Sequence, residues 1–232
     1  MAAAPKFLTA PDIAFAQAGD LARLQAGWRP DVLLFVANLD DPTLRDCLAL
    51  APNAADLMDE AFPGATLRDA FLQRRALTRS LLAMRLSVAA DGVEIAYDPA
   101  GGPRVMKPAG AGFVSVSSRS RWVAVALADQ PVGVDLELIA PRLEPVWDVL
   151  HGQERARLRA CEMAARPRAF FEIWTAKEAG LKALGFGLRR DPSSILSEID
   201  EDGAFALRDG EAVIATGQLM PTDDRVVAVA CL

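Results

Sequence analysis

The stretch FFEIWTAKEAGLK, residues 170–182, decides how the second half of the chain folds and what it can do. Residues four apart share one face of an α-helix, so the pattern predicts a helix on which Trp174, Glu178 and Lys182 form one row. Lys177 lies beside that row. A carboxylate flanked by two ammonium groups can hold a metal ion and phosphate groups together. The plain alternative is an ordinary surface helix with one Glu–Lys pair.

A second stretch, PVGVDLELI at residues 131–139, alternates apolar and acidic residues with period two and is therefore predicted to be a strand. Asp135 and Glu137 then point to the same face, where two carboxylates can grip one hard cation. Val134 and Leu136 point the other way, into a core. The plain alternative is that the acids line the solvent side of the strand. Taken together, the strand and the helix predict a magnesium site built for a phosphate ester.

The two motifs, GVDLE at residues 133–137 and WTAKEAGLK at residues 174–182, together resemble the paired signature of the phosphopantetheinyl transferases. Their spacing is similar to that of the larger, two-lobed, single-chain kind named after the surfactin-synthetase activator. The resemblance is specific from about residue 113 to residue 190. It implies an α+β fold of two similar α/β lobes, related by a pseudo-twofold, with coenzyme A and the active site in the cleft between them.

The lobe boundary is expected at the polar turn Asp129-Gln130-Pro131, which separates two apolar strands. The N-terminal lobe then comprises residues 1–130 and the C-terminal lobe residues 131–232. After the long helix, three strand-like runs separated by Gly and Asp predict an antiparallel meander.

The resemblance implies transfer of the 4'-phosphopantetheine group from coenzyme A to a serine of an apo acyl, polyketide or peptidyl carrier protein, with Mg2+ required. Asp135, Glu137 and Glu178 match the positions expected to bind Mg2+. Glu178 is also expected to deprotonate the serine, directly or through a water, and Lys182 to neutralise charge on the phosphates. Lys177 and Lys182 are both expected to contact the coenzyme phosphates.

The remaining expected coenzyme contacts lie where the match is looser. A family segment, Ser-His-Ser, contacts coenzyme A phosphates through its Ser and His, and it is matched here by Ser117, Ser118 and Arg119. Ser118 stands where His is expected, so a hydroxyl and the neighbouring arginine replace one phosphate donor. Where the family reads Gly-Lys-Pro, this chain has Gly102 in place of the lysine. Arg104 follows the proline and is expected to supply the displaced charge.

Two groups of arginines have open interpretations. Arg75 and Arg79 lie four apart on a helix predicted over residues 66–86, where they either grip a phosphate, with Arg75 as the coenzyme contact, or are solvated. The arginine-rich run of residues 154–168 is either a solvated helix face or a docking surface for an acidic carrier protein. His151, the single histidine, is expected to cap a helix end.

Composition restricts the class of protein. The chain has 232 residues, 52% of them hydrophobic, and a formal net charge of -6, which argues for a globular protein without a nucleic-acid partner. Its 3 cysteines form no CxxC pair, as expected in a reducing compartment. The N-terminus is a poor signal peptide, and no apolar run reaches membrane-spanning length. We expect a cytoplasmic monomer with no membrane partner.

Two other functions remain open from the sequence. A degenerate, non-catalytic relative that still binds coenzyme A would explain Ser118 and the loose match in the first half. A different magnesium-dependent phosphotransferase could use the same acids. The sequence contains no Walker loop and no Rossmann fingerprint, which argues against ordinary nucleotide kinases and dehydrogenases.

Overall fold

The computed structural model describes residues 13–45, 65–97, 102–140 and 144–232. The described residues form an α+β protein, as predicted. They divide into two compact units, and the boundary between them in the sequence lies between Asp129 and Gln130. The expected lobes of residues 1–130 and 131–232, and their pseudo-twofold relation, stay predictions. In the described part of the chain, no helix combines the length and apolar character needed to cross a membrane.

The first unit contains a four-stranded sheet in the order β1-β2-β6-β5 and a separate hairpin of β3 and β4. β1 pairs with β2 in parallel, and the other pairs are antiparallel. The elements are β1 (Ile13–Ala16), α1 (Leu21–Gln25), β2 (Val32–Asn38), α2 (Ala65–Leu86), β3 (Glu94–Tyr97), β4 (Pro103–Lys107), β5 (Phe113–Arg119) and β6 (Trp122–Ala128). The helix predicted over residues 66–86 is thus confirmed.

Helix α2 and one face of this sheet enclose the core of the first unit. Leu77 and Leu81 of α2 are at most 1% exposed and pack in one cluster with Phe35 of β2 and Val125 of β6. Each such buried side chain contributes roughly 1.5–3 kcal/mol of transfer free energy. Leu77 and Leu81 therefore belong to the buried side of this helix.

The second unit contains a five-stranded antiparallel sheet in the order β7-β11-β10-β9-β8. Its elements are β7 (Val132–Leu138), α3 (Gly152–Ala160), α4 (Arg166–Ala183), β8 (Leu196–Ile199), β9 (Ala204–Asp209), β10 (Ala212–Pro221) and β11 (Arg225–Cys231). The predicted meander corresponds to β9, β10 and β11. The sequence did not indicate β8, a short strand at the edge of the sheet.

Helix α4 is the predicted FFEIWTAKEAGLK helix with one further turn at its start. Pro167 lies in its first turn, where a missing N–H is no loss. The chain turns away just after the helix at Gly185, whose φ of 72° is readily adopted by glycine. There the Phe186 N–H donates to the Leu181 carbonyl at 3.1 Å and the Gly185 N–H to the Lys182 carbonyl at 3.0 Å. This Schellman arrangement satisfies carbonyls that the helix leaves open and fixes its last turn.

The two units share a pattern of connections. In each unit, one strand precedes a long helix, and two antiparallel strands follow later in the chain. The second of those two strands pairs with the strand that precedes the helix. The sets are β2, α2, β5–β6 in the first unit and β7, α4, β10–β11 in the second.

Candidate active site

Strand β7 and helix α4 approach each other so closely that only a glycine fits at Gly133. A Cβ added there would lie 1.9 Å from the Ala179 carbonyl oxygen and 2.4 Å from the Ala183 nitrogen, both main-chain atoms. Because side chains alternate along a strand, Asp135 and Glu137 also lie on the helix side of β7. They are 2% and 7% exposed. The acids therefore do not form the solvent side of the strand.

Lys182 of α4 is held at this face by two oxygen atoms. Its Nζ donates to Asp135 Oδ1 at 2.7 Å and to the Val134 carbonyl oxygen at 3.0 Å. The Lys182 side chain is 28% exposed, whereas that of Asp135 is 3% exposed. A partly accessible ammonium group thus neutralises an enclosed carboxylate. The two motifs predicted to cooperate meet in this contact.

Glu178 lies one helical turn before Lys182, on the row predicted from the sequence, and is 8% exposed. Trp174 begins the row and packs against the hydrophobic core, as expected for a residue that positions the helix. Three buried acids and one partly exposed lysine therefore belong to the facing elements β7 and α4.

The three predicted Mg2+ ligands are not gathered into one cluster. Among the residues that the structure describes, no three side chains of His, Cys, Asp or Glu lie close enough to hold a metal ion. Asp135 Oδ1 contacts the Lys182 ammonium group instead. The donor chemistry nevertheless fits a hard cation, because a carboxylate oxygen and a main-chain carbonyl oxygen already hold a positive charge here. Magnesium at Asp135, Glu137 and Glu178 remains a proposal.

Lys177 does not lie where a coenzyme phosphate could reach it, which corrects the predicted contact. Its side chain is 0% exposed, and its Nζ is 2.6 Å from Glu154 Oε2. The same ammonium donates to the carbonyl oxygens of Pro192 at 2.9 Å and Val149 at 3.2 Å. An ammonium group has three donors, and here each has an acceptor. Lys177 is a structural residue of the second unit.

Glu154, the partner of Lys177, was not identified from the sequence. Its carboxylate accepts hydrogen bonds from the His151 N–H at 2.7 Å and from the Ser197 N–H at 2.8 Å as well. It therefore joins the start of α3 to α4 and to β8. Burial lowers the pKa of the Lys177 ammonium, and the Glu154 carboxylate acts in the opposite direction. A capping box at His151 and Glu154 was the available signal.

His151 caps α3, as predicted: its Nδ1 accepts the Gln153 N–H at 3.3 Å. The neighbouring arginine-rich run splits into two kinds of residue. Arg157 and Arg159 are exposed. Arg166, in contrast, donates to the carbonyl oxygens of Cys161 and Arg159, which ties the end of α3 to the start of α4.

The predicted phosphate-binding arginines of the first unit are buried. Arg75 is 6% exposed and Arg79 is 5% exposed, so the solvated alternative is wrong. The Arg75 guanidinium lies between two aromatic rings, 4.1 Å from the Phe71 centroid and 3.9 Å from the Tyr97 centroid. Such contacts hold a guanidinium by cation–π attraction and fix the direction of its fork.

The segment Ser117-Ser118-Arg119 lies at the end of β5. Ser118 Oγ accepts a hydrogen bond of 2.7 Å from Nη1 of Arg74, a residue that the sequence did not single out. Burial lowers the pKa of that guanidinium. Ser117 is 6% exposed, and Arg119 is exposed with Nη1 donating to the Ser118 carbonyl. Arg104 is exposed on β4, opposite Ala96.

Comparison with known proteins agrees with these motifs. Residues 131–230 match the family model described as the 4'-phosphopantetheinyl transferase superfamily. A protein of Synechocystis sp., provisionally named a 4'-phosphopantetheinyl transferase, is 26% identical over 164 residues, or 68% of this chain and 67% of that protein. The 4'-phosphopantetheinyl transferase psf-1 of Bacillus pumilus is 34% identical over 112 residues, or 46% of this chain and 48% of that protein.

The 4'-phosphopantetheinyl transferase Sfp of Bacillus subtilis is 26% identical over 132 residues, which is 56% of this chain and 58% of that protein. The aligned stretches thus span from about half to two thirds of these relatives. Family model and relatives agree on one class of enzyme, a transferase. Residues 131–230, the second half of the chain, are therefore similar to the 4'-phosphopantetheinyl transferase superfamily, the family that the two motifs resemble.

Proposed function

We propose that this protein transfers the 4'-phosphopantetheine group of coenzyme A to a serine of an apo acyl, polyketide or peptidyl carrier protein, with Mg2+. The observation that carries the proposal is the contact between Lys182 and Asp135, which joins the two motifs inside the matched residues 131–230. The names of the relatives support the transferred group. The donor, the metal and the acceptor are inferred from the chemistry below.

The proposed reaction exchanges one P–O bond for another. The serine oxygen bonds to the phosphorus that carries pantetheine, and the bond from that phosphorus to the bridging oxygen of the diphosphate breaks. Adenosine 3',5'-bisphosphate leaves with the bridging oxygen. The reaction therefore needs an acceptor for the serine proton and positive charge near the departing phosphate.

Helix α4 supplies both requirements on one row. The Glu178 carboxylate, 8% exposed on a rigid helix, is suited to accept the serine proton directly or through a water. Lys182, one turn later, presents a partly exposed ammonium group that neutralises charge on the phosphates. Asp135 and Glu137 would hold Mg2+ together with Glu178. When bound, the metal neutralises the diphosphate and polarises its oxygens.

In the first unit, we propose that Ser117, Ser118, Arg119, Arg104 and Arg75 bind the coenzyme phosphates. Ser118 supports this because its hydroxyl accepts from Arg74 and keeps its own proton to donate. The cytoplasmic location, the monomeric state and the absence of nucleic-acid or membrane partners stay predictions.

Intact-mass spectrometry tests the proposal. The protein is mixed with coenzyme A, Mg2+ and a panel of apo carrier proteins, and a carrier should gain one phosphopantetheine group. Glu178→Gln should abolish the gain, whereas Glu172→Gln, a half-buried carboxylate on the same helix, should not. A carrier that gains the group equally well with Glu178→Gln would contradict the role of Glu178. No gain on any carrier would contradict the transferase proposal.

The second candidate is a non-catalytic relative that binds coenzyme A. Two observations favour it: Ser118 stands at the position of a family histidine, and no cluster of three potential metal ligands forms among the described residues. Calorimetry with coenzyme A separates the two functions, because this candidate binds the coenzyme while the mass assay shows no transfer.

A further inference from the structure

Two lysines of the same helix are held in opposite ways. Lys177 is 0% exposed and its three donors are all used inside the fold. Lys182 is 28% exposed, and its Nζ is held by Asp135 and the Val134 carbonyl oxygen. The first lysine could leave its partners only if the second unit opened. The second could leave by rotating its flexible four-carbon stem towards solvent.

A buried carboxylate such as Asp135 requires a positive partner, because burying an unpaired charge is costly. The Lys182 ammonium meets that requirement in this structure. A divalent cation at the same carboxylate would meet it too, but it would be repelled by an ammonium group 2.7 Å from Asp135 Oδ1. The ammonium and the cation therefore compete for one carboxylate.

Resting on the proposed function, we propose that Lys182 is an exchangeable counter-ion of Asp135. It occupies the carboxylate until a divalent cation binds, and it then turns away with a free ammonium group available to the donor phosphates. Through this exchange, binding of the cation at Asp135 releases the Lys182 ammonium group to bind a phosphate.

Metal binding without coenzyme or carrier tests this exchange. Mn2+ binding is followed by electron paramagnetic resonance and Mg2+ binding by calorimetry, for the unchanged protein, Lys182→Met and Lys107→Met. Lys107 is a matched control, because it is an exposed lysine that pairs with Glu94 in the first unit. We expect Lys182→Met to bind the cation about tenfold more tightly, since the competing charge is gone. Lys107→Met should bind as the unchanged protein does, and Asp135→Asn should lose binding.

Affinity that is unchanged or weaker in Lys182→Met would overturn the exchange, as would an equal gain in Lys107→Met. Binding by none of the proteins would overturn it too. Failure of carrier modification would instead count against the proposed function alone, because transfer plays no part in these measurements.

A second measurement uses the unchanged chain, in case Lys182→Met folds poorly. Mass spectrometry after brief treatment with an amine-reactive ester reports how accessible each lysine is. Mg2+ should increase labelling of Lys182 severalfold while Lys177 stays unlabelled. Equal labelling of Lys182 with and without Mg2+ would overturn the exchange.

Discussion

Lys177→Met should destabilise the second unit strongly without acting on the coenzyme. The substitution keeps the length of the side chain but removes a buried ammonium group. Three contacts are lost, to Glu154 Oε2 at 2.6 Å and to the carbonyl oxygens of Pro192 at 2.9 Å and Val149 at 3.2 Å. What remains is a carboxylate that is 2% exposed and has lost its ammonium partner.

The size of the loss follows from that uncompensated charge. Removing one partner of a buried ion pair costs roughly 3–5 kcal/mol, because the other charge stays buried. Total stabilities of 5–15 kcal/mol are usual, so the variant should lose a large part of its stability. Glu154 keeps two main-chain donors, from His151 and Ser197, which places the expected loss nearer 3 kcal/mol than 5.

A double-mutant cycle measures the pair itself. Glu154→Gln keeps a side-chain oxygen that can accept the Ser197 N–H, but it carries no charge. The double variant Lys177→Met, Glu154→Gln therefore has no buried ion at this position. Urea denaturation of the four proteins should give a coupling free energy of about 2–3 kcal/mol. The double variant should be more stable than the sum of the single losses predicts.

Two results would refute this reasoning. A loss below about 1 kcal/mol in Lys177→Met would mean that the pair behaves like an exposed one. Unchanged stability with greatly weakened coenzyme A binding, measured by calorimetry, would restore the phosphate contact first predicted for Lys177. We expect the reverse: lowered stability, with coenzyme A binding retained at temperatures where the variant is folded.

Other perturbations should act as follows. Gly133→Ala places a methyl group 1.9 Å from the Ala179 carbonyl oxygen, so urea denaturation should show a loss of about 3 kcal/mol in the free energy of unfolding. The control Gly92→Ala should cost far less, because nothing lies within 4 Å of the added methyl group. Equal losses in the two variants would contradict the close approach of β7 and α4. Burial raises the pKa of the Cys231 thiol from 9.0 to about 11, so its contribution is fully present below pH 9 and is lost as the pH rises through 11. The unchanged protein should lose about 2–3 kcal/mol more than Cys231→Ala over that window, and parallel curves would contradict the shift. Ser118→Ala should weaken coenzyme A binding about fivefold by calorimetry, the value of one hydrogen bond, and unchanged affinity would remove Ser118 from the proposed site.

The elements of the second unit could be predicted because their patterns are long and regular. Strand β7 alternates with period two, and α4 has a helical row, a proline at its start and a glycine after its end. β8 has four residues and only one of them is fully buried, so no period is visible. Its place is set by antiparallel pairing with the next strand, β9, and by the long-range hydrogen bond from the Ser197 N–H to the Glu154 carboxylate.

The site could be predicted only to the level of shared faces. Periodicity placed Asp135 and Glu137 on one side of β7, but it could not tell whether that side was exposed to solvent. That depends on α4 lying over the strand, which Gly133 permits by having no side chain. The partner of Lys177 could not be predicted from periodicity, because Glu154 lies on another helix and only tertiary packing brings the two side chains together.

The two lysines of the KEAGLK motif differ because helix geometry separates them. With 3.6 residues per turn, Lys177 and Lys182 point about 140° apart, whereas Glu178 and Lys182 are only about 40° apart. Lys177 consequently faces α3 and its Glu154, while Lys182 faces β7 and its Asp135. In the proposed reaction, Lys182 can then contact the phosphates, whereas Lys177 cannot. A motif that looks like one catalytic unit thus carries two roles, and substitutions at its lysines should separate loss of stability from loss of transfer.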